Sequence, residues 1–396
     1  MASAPGVATG TLPSPPRPVA PLAATTPARR PRWWRRPALV RPALIYLASR
    51  LLTSAAIAVS APIAHLSYAG AVDRWDTRWF LRAAAYGYPS HLPTTHGHVA
   101  GSPIAFFPLF PLATRALSVC TGTSLLLSGV TLSMVSGLSA MVALWSLVRR
   151  YAGDGAADRA TALAAFFPAS FVFSLAYAEG IVITFVALGL LALGSRRFVL
   201  AGLAGAVASA ASPVALAFEV SCLWVAVSEL RRTRRPGVLT APVLAPAGFV
   251  AYQAWLWAHT GNLMAWKLTE RGGWKSYLSP AFPVHLLSWF VTHPVTSTAN
   301  ENMMMAGTAV AVIGVVLALR QHQPAALVLF GATAAAVAFL TAPVGVRPRF
   351  VLDAFPLVAA IGVRLQGRSL RLVLAASALG LVACTYYAVG SYAVFP

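Results

Sequence analysis

Residues 73–89 read DRWDTRWFLRAAAYGYP, and residues 102–112 read SPIAFFPLFPL. The first stretch gathers two acids, three arginines and two tryptophans directly behind an apolar run at 42–64. Placing ionised groups beside lipid is costly, so acids at the mouth of a membrane bundle carry function by default. The rest of the chain says that a bundle is what surrounds them. Of its 396 residues, 58% are hydrophobic and 10% charged, and the mean hydropathy is +0.70. A soluble domain carries about 25% charged residues. The expected fold class is all-α: a polytopic membrane protein of about eleven transmembrane helices, with an amphipathic helix in the first outer loop.

The formal net charge is +20. These basic residues stand in short clusters between apolar runs, where a positive-inside topology places them, so nucleic acid is excluded as a partner. Cys120, Cys222 and Cys384 lie inside apolar runs and read as small core hydrophobes. Residues 1–37 are rich in Pro, Ala and Thr and lack a short apolar core ahead of a cleavage site. The stretch 1–41 is therefore expected to be a disordered, basic, cytoplasmic tail and 42–396 the transmembrane domain.

Apolar spans are expected at 42–64, 122–148, 160–178, 180–195, 198–211, 214–230, 238–258, 303–319, 323–342, 350–364 and 371–392. The run 104–118 contains Pro108 and Pro111 and is expected to be re-entrant or a bent lead into the next helix. Arg29, Arg30, Arg32, Arg35, Arg36 and Arg41 precede the first span, which puts the N-terminus in the cytoplasm. Alternating from there, Arg149–Arg150, Arg196–Arg197, Arg231–Arg235, Arg320, Arg364, Arg368 and Arg371 all fall inside. This requires two crossings between 198 and 230, with Ser212–Pro213 as the break. Of the ten acids, Asp73, Asp76, Glu179, Glu270, Glu301 and Asp353 then gather at or near the outer face. The inner loops read as topology signals, and the outer face reads as a site.

Read as a helix, 73–82 stacks Trp75, Trp79 and Arg82 on one side and Asp76 and Phe80 on an adjacent row. The tryptophans suit an interface, and the helix is expected to lie on the outer leaflet and present a carboxylate to the bundle. Local pairing of the acids with Arg74 and Arg78 is the structural alternative. Glu179 ends FFPASFVFSLAYAEG (166–180) at the outer end of a span and can line a cavity or stand as a solvated helix terminus. Arg347 and Arg349 flank Pro348, and paired guanidiniums beside lipid suit a phosphate; pairing with Asp353 is the alternative. Arg50 lies within the first span and needs a partner, which an acid or a lipid phosphate could supply. The loop 259–302 holds Lys267, Lys275, Glu270, Arg271, Trp266, Trp274 and Trp289, a mixture fit for sugar stacking and phosphate contact or for interface anchoring. The outer histidines lack metal-ligand spacing, so no metal or cofactor is expected.

At these residues the chain resembles the PIG-V family of membrane mannosyltransferases, in its actinobacterial branch. RWDTRWFLRAAAYGY (74–88) resembles the family's Trp-Asp motif ending in Gly-Tyr, and IAFFPLFPL (104–112) its Phe-Phe-Pro-x-x-Pro segment. FPASFVFSLAYAEG (167–180) resembles its Pro-Ala-Ser…Tyr-Ser-Glu segment, and SRLL (49–52) also fits. The resemblance is specific over about residues 45–185. It implies a GT-C fold with its site at the non-cytoplasmic face and a polyprenyl- or dolichyl-phosphate mannose donor. The family's motif aspartate corresponds to Asp76, and its Tyr-Ser-Glu to Tyr177, Ala178 and Glu179. Where the family has Arg-x-x-Gly after a Ser/Thr-rich helix, this chain has SAASPVAL (209–216), without an arginine.

The resemblance and the residues together imply an inverting membrane glycosyltransferase. Asp76 is expected to be the general base, with Asp73, Glu179, Trp75, Trp79 and Tyr177 positioning acceptor and donor. Arg347, Arg349, Lys267 and Arg50 are expected to bind the donor phosphate. Its partners would be a polyprenyl-phosphate sugar donor, a lipid or glycan acceptor and membrane lipids, with the enzyme in the plasma membrane and its site outside. A secondary transporter and a non-catalytic membrane partner of a glycosyltransferase are the alternatives, though no internal repeat supports transport.

Overall fold

The computed structural model describes residues 37–293 and 299–391, and these are almost entirely helical. Most of the tail expected over 1–41 lies outside the described residues; the first helix, α1, starts at Pro37 and runs to Ile63. Two short helices follow, α2 (Tyr68–Val72) and α3 (Asp76–Tyr86). Ser67 starts α2 by accepting from the Gly70 N–H. A two-residue hairpin, β1 (Thr94–Thr95) and β2 (His98–Val99), leads to a 3-10 turn at Pro103–Ala105. Then come α4 (Leu109–Thr121), α5 (Leu125–Ala152) and α6 (Asp154–Ala165). Gly122 ends α4 in the left-handed region, and Ser124 restarts the chain by capping α5 through the Leu127 N–H. The run 104–118 is therefore a 3-10 turn plus a helix in its own right, separate from α5.

The middle of the chain forms α7 (Glu179–Gly194), α8 (Phe198–Ala211), α9 (Ala217–Thr233), α10 (Thr240–Leu244) and α11 (Ala247–Thr260). Beyond them lie α12 (Ala265–Gly273), strand β3 (Tyr277–Leu278), α13 (Phe282–Thr292), α14 (Ala299–Arg320) and α15 (Ala325–Leu340). Strand β4 (Thr341–Ala342), α16 (Pro348–Asp353), α17 (Phe355–Arg364), α18 (Gly367–Tyr386) and a π-helical turn at Tyr387–Ser391 complete the described chain.

Among the described residues five helices are long and apolar enough to cross a membrane, and two bent pairs raise this to as many as seven. Five more apolar helices span only 10–17 residues. The chain is thus an integral membrane protein whose other crossings are short or broken. Proline and glycine do the breaking. The expected span 160–178 is a correction of this kind: α6 stops at Ala165, Pro168 opens a 3-10 turn to Ser174, and the chain bends by 107° into α7. The run 238–258 bends by 47° between α10 and α11, where Pro246 stands at the break. Ser212–Pro213 divides α8 from α9 as the arginine alternation requires.

α5, α7 and α8 pack in succession, with α6 against α5 and α17 against α6 and α14. Small residues permit the close crossings: a Cβ on Gly180 would sit 2.6 Å from the Gly137 nitrogen, so α5 and α7 touch backbone to backbone. Ion pairs join groups that the arginine alternation puts on one side. Arg41 pairs with Asp158, Arg149 with Asp154, and Arg196 and Arg232 with Glu229 at one end. Arg349 pairs with Asp76 and Glu179 at the other.

Candidate functional site

The site forms where three separated segments meet. The first is the start of α3. Trp75 caps this helix at φ +56°, a left-handed backbone that is strained for a bulky residue, and its indole Nε1 donates to the Ala388 carbonyl at 2.8 Å. Arg74 beside it is buried and donates to the Val389 carbonyl. These two anchors tie the loop to the far end of the chain and aim Asp76, the first residue of α3, into the bundle. Here the single helical row expected for Trp75, Trp79 and Arg82 is corrected: the helix begins only at Asp76, and α3 buries Thr77, Phe80, Ala83 and Ala84. Arg78 does not pair with an acid; its Nε donates to the Asp73 carbonyl at 2.9 Å.

The second segment is the bend at 175–179. The Tyr177 hydroxyl accepts from the Asp76 backbone N–H at 3.3 Å, and the Thr77 hydroxyl accepts from the Ala176 N–H at 3.2 Å. Glu179 opens α7, where helix N-terminal amides favour a negative charge. The close approach of Gly180 to α5 fixes its place.

Arginine supplies the third segment. Arg347 and Pro348 start α16, and Arg349 in its first turn reaches both acids. Its Nη1 donates to Asp76 Oδ2 at 2.5 Å, and its Nε lies 3.5 Å from Glu179 Oε1. The three side chains keep 17% (Arg349), 24% (Asp76) and 11% (Glu179) of their exposure, so the bridge is largely desolvated but open to one side. The Arg349 guanidinium also stands 5.7 Å from the centre of the Tyr177 ring. Burial alone would lower its pKa, but Asp76 and Glu179 outweigh burial and hold it above the ordinary arginine value. Arg347 next door is pushed down to about 10 by burial, then by the charge of Arg349.

Two acids that sequence reasoning left outside the site belong to this cluster. Asp353, at the end of α16, is buried, within electrostatic reach of Glu179 and Arg349, and its Oδ1 has no hydrogen-bond partner among the described residues. Glu179 Oε2 is likewise unpartnered. Glu270, on α12, is raised to about 7 by burial and then by the negative charge of Asp76, against the pull of Arg349. Both are among the outer-face acids, Asp353 as the alternative partner of Arg347 and Arg349 and Glu270 within the mixed loop 259–302, but neither carries a site motif of its own.

An aromatic wall adjoins the cluster. Trp79 stacks on Phe106 at 6.1 Å and meets Trp274 edge-on at 5.3 Å, while Phe80 spans from Phe106 at 5.0 Å to Tyr177 at 6.3 Å. Phe106 sits in extended backbone within the main core, while Phe107 enters a second cluster with Tyr252, Phe249 and Trp266. The loop 259–302 thereby joins the site on both flanks. Trp274 touches the α3 side, and β3 pairs antiparallel with β4 ahead of Arg347.

The remaining expected site residues lie elsewhere. Arg50 is a correction: all five of its donors are taken, by Ser49 Oγ, the Ser170 carbonyl and hydroxyl, Ser174 Oγ and the Ala165 carbonyl. It stitches α1 to the end of α6 and the 3-10 turn, where carbonyls lack helical partners, and has no donor left for a phosphate. Lys267 stands on the exposed side of α12 with none of these contacts. The half-buried Asp73 offers its backbone, not its carboxylate, to the contacts around it. Among the described residues no three His, Cys, Asp or Glu side chains group as metal ligands would.

No family model matches this chain, and no curated protein matches it either. Among solved structures it is similar to ArnT from Cupriavidus metallidurans bound to undecaprenyl phosphate, at 16% identity and a TM-score of 0.47. It is also similar to the same protein in the apo state, at 19% identity and a TM-score of 0.43. In both cases the match covers 84% of this chain and 62% of the other, so the chain spans less than two thirds of the length of these neighbours.

Proposed function

We propose that the chain is a membrane glycosyltransferase of GT-C type that takes its sugar from a polyprenyl-phosphate carrier at the outer face of the plasma membrane. The observation that carries this is the Arg349 bridge: a buried guanidinium held between two carboxylates, with Arg347 beside it, at the end of the bundle where the outer-face acids meet. The pairing supplies both needs of the reaction, a base for the acceptor hydroxyl and a cation for a phosphate leaving group.

Asp76 takes the proton of the acceptor hydroxyl as that oxygen attacks the anomeric carbon. The bond from this carbon to the phosphate oxygen breaks, and the carrier leaves as a phosphate monoester bearing one more negative charge. Arg349 and Arg347 meet that charge. With no donor bound, Arg349 is occupied by Asp76. A donor phosphate would draw Arg349 away and free Asp76 at the moment a base is needed. The unpartnered oxygens of Glu179 and Asp353 are acceptors for sugar hydroxyls, and Trp79 and Trp274 offer faces for a sugar ring. Mannose as the transferred sugar rests on the resemblance of 74–88, 104–112 and 167–180 alone.

The test is transfer of labelled mannose from polyprenyl-phosphate mannose into lipids and glycans by membranes carrying wild type or Asp76→Asn. Loss of about 10²–10⁴-fold is expected, the range for removal of a general base. Near-normal transfer by a folded Asp76→Asn protein would remove Asp76 from the mechanism.

A further inference from the structure

A second polar constellation lies at the opposite end of α7. With 16 residues in that helix, about 24 Å separates it from Glu179 at 1.5 Å per residue. Here the turn between α7 and α8 faces the end of α9 across a cavity of about 520 Å³. Arg196, Arg197 and Arg235 line it, with Glu229 as the one acid in its wall. Positive-inside topology calls for basic residues at this end, but charge alone would serve that purpose. It does not call for a concave site.

The charges inside the cavity are unbalanced. Glu229 is shared by Arg196 at 3.2 Å and Arg232 at 3.0 Å, one guanidinium on each carboxylate oxygen. No acid among the described residues pairs with Arg197 or Arg235. Three guanidiniums against one carboxylate leave an excess of two positive charges. The first turn of α8 opens on the same cavity and adds its amides and dipole. Arg196 and Arg234 both hold a left-handed backbone, at φ +57° and +56°, positions that glycine or asparagine would fill with less strain.

An apolar track begins at the cavity's lip. Val199 and Leu200 line the cavity yet stay 51% and 52% exposed, and Leu203 and Val243 continue the exposed apolar surface along α8 and α10. Those two helices lie close together, because a Cβ on Gly202 would already stand 2.7 Å from Leu244. A basic hollow that opens onto an exposed apolar track matches an anionic headgroup with its acyl chains. We propose that the cavity between α8 and α9 is a binding site for the phosphate headgroup of an anionic phospholipid in the leaflet opposite the candidate active site.

The experiment is native mass spectrometry of the full chain in detergent, titrated with dioleoylphosphatidylglycerol, with dioleoylphosphatidylcholine or with inorganic phosphate. Wild type is expected to retain phosphatidylglycerol in preference to phosphatidylcholine. The Arg197→Ala/Arg235→Ala double variant should lose that retention by about an order of magnitude, as removal of two basic residues at a lipid surface implies. Glu229→Gln releases Arg196 and Arg232 and should strengthen retention, a change of sign that misfolding cannot produce. Equal retention of the two lipids, unchanged retention in the double variant, or binding of inorganic phosphate without binding of the lipid would each overturn the proposal.

Discussion

The Arg349 bridge makes the sharpest energetic prediction. Replacing Arg349 by Gln leaves Asp76 and Glu179 close together with no cation, at side-chain exposures of 24% and 11%. A unit charge pair about 4 Å apart is worth about 4 kcal/mol at an effective dielectric of about 20, and desolvation offsets a good part of that. Removing one partner of a buried pair costs about 3–5 kcal/mol. Arg349→Gln should therefore destabilise the protein by about 3 kcal/mol. Asp76→Asn should cost only about 1 kcal/mol, because Arg349 keeps Glu179. In the double variant Asp76 no longer repels Glu179, so the cycle should close with a coupling of about 2 kcal/mol, inside the range for directly interacting residues. Arg349→Lys should behave like the Gln variant more than like wild type, since an ammonium cannot span two carboxylates as a planar guanidinium does. The assay is unfolding of the purified full chain in mixed detergent micelles with increasing dodecyl sulfate, followed by tryptophan fluorescence. Additive single-variant losses, within about 0.5 kcal/mol, would refute the bridge.

Three further outcomes follow from the same geometry. Arg50→Met should lower the yield of folded protein sharply, by about 3–5 kcal/mol of stability, while transfer per folded molecule stays near normal; a selective rise in donor KM would return Arg50 to the site. Glu270 is raised to about 7 and so is neutral below that pH and charged above it. As pH rises through 7 its charge adds to that of Asp76 and opposes a donor phosphate, so donor KM should climb, and Glu270→Gln should flatten the profile; an unaltered profile in that variant would exclude Glu270. Ionisation is suppressed in the fold, so stability should also fall between the unfolded carboxyl value, about 4.3, and 7, and remain lower above it. Gly180→Ala should cost about 1–3 kcal/mol through overpacking against Gly137 and should shift Glu179, read as reduced transfer in the protein that still folds.

The membrane character of the chain was legible from its apolar runs, because that depends only on transfer free energies along the sequence. The bends near Pro168 and Pro246 were not, because hydropathy does not see that these prolines divide apolar runs into bent pieces, whereas the break at Ser212–Pro213 followed from the arginine alternation. The Asp76–Glu179–Arg349 group was half legible. Each residue carried a reason of its own, a charge next to lipid, but their contact joins positions 273 residues apart and depends on the Trp75 backbone and the Gly180 crossing. Arg50 misled for a physical reason. A buried arginine needs acceptors, and the sequence gives no notice that a 3-10 turn at 168–174 will expose backbone carbonyls to meet it.

The contrast between the two buried arginines decides how the site is read. Arg50 faces five neutral oxygens and is saturated; no incoming group can bind it without breaking the fold. Arg349 faces carboxylates, one in hydrogen-bond contact and one 3.5 Å away, and its Nε has no hydrogen-bond partner among the described residues. A buried ion pair contributes little net stability compared with a well-packed apolar substitute of the same shape. Structural need alone thus leaves the grouping of Asp76, Glu179, Asp353 and Glu270 around Arg347 and Arg349 unexplained. Such a group makes sense where an anion enters and exchanges partners with the guanidinium, because only a charged competitor can displace a carboxylate from it at low energetic cost. In the proposed reaction the same exchange would convert Asp76 from a counter-ion into a base, so that donor binding and activation of the acceptor would become one electrostatic event.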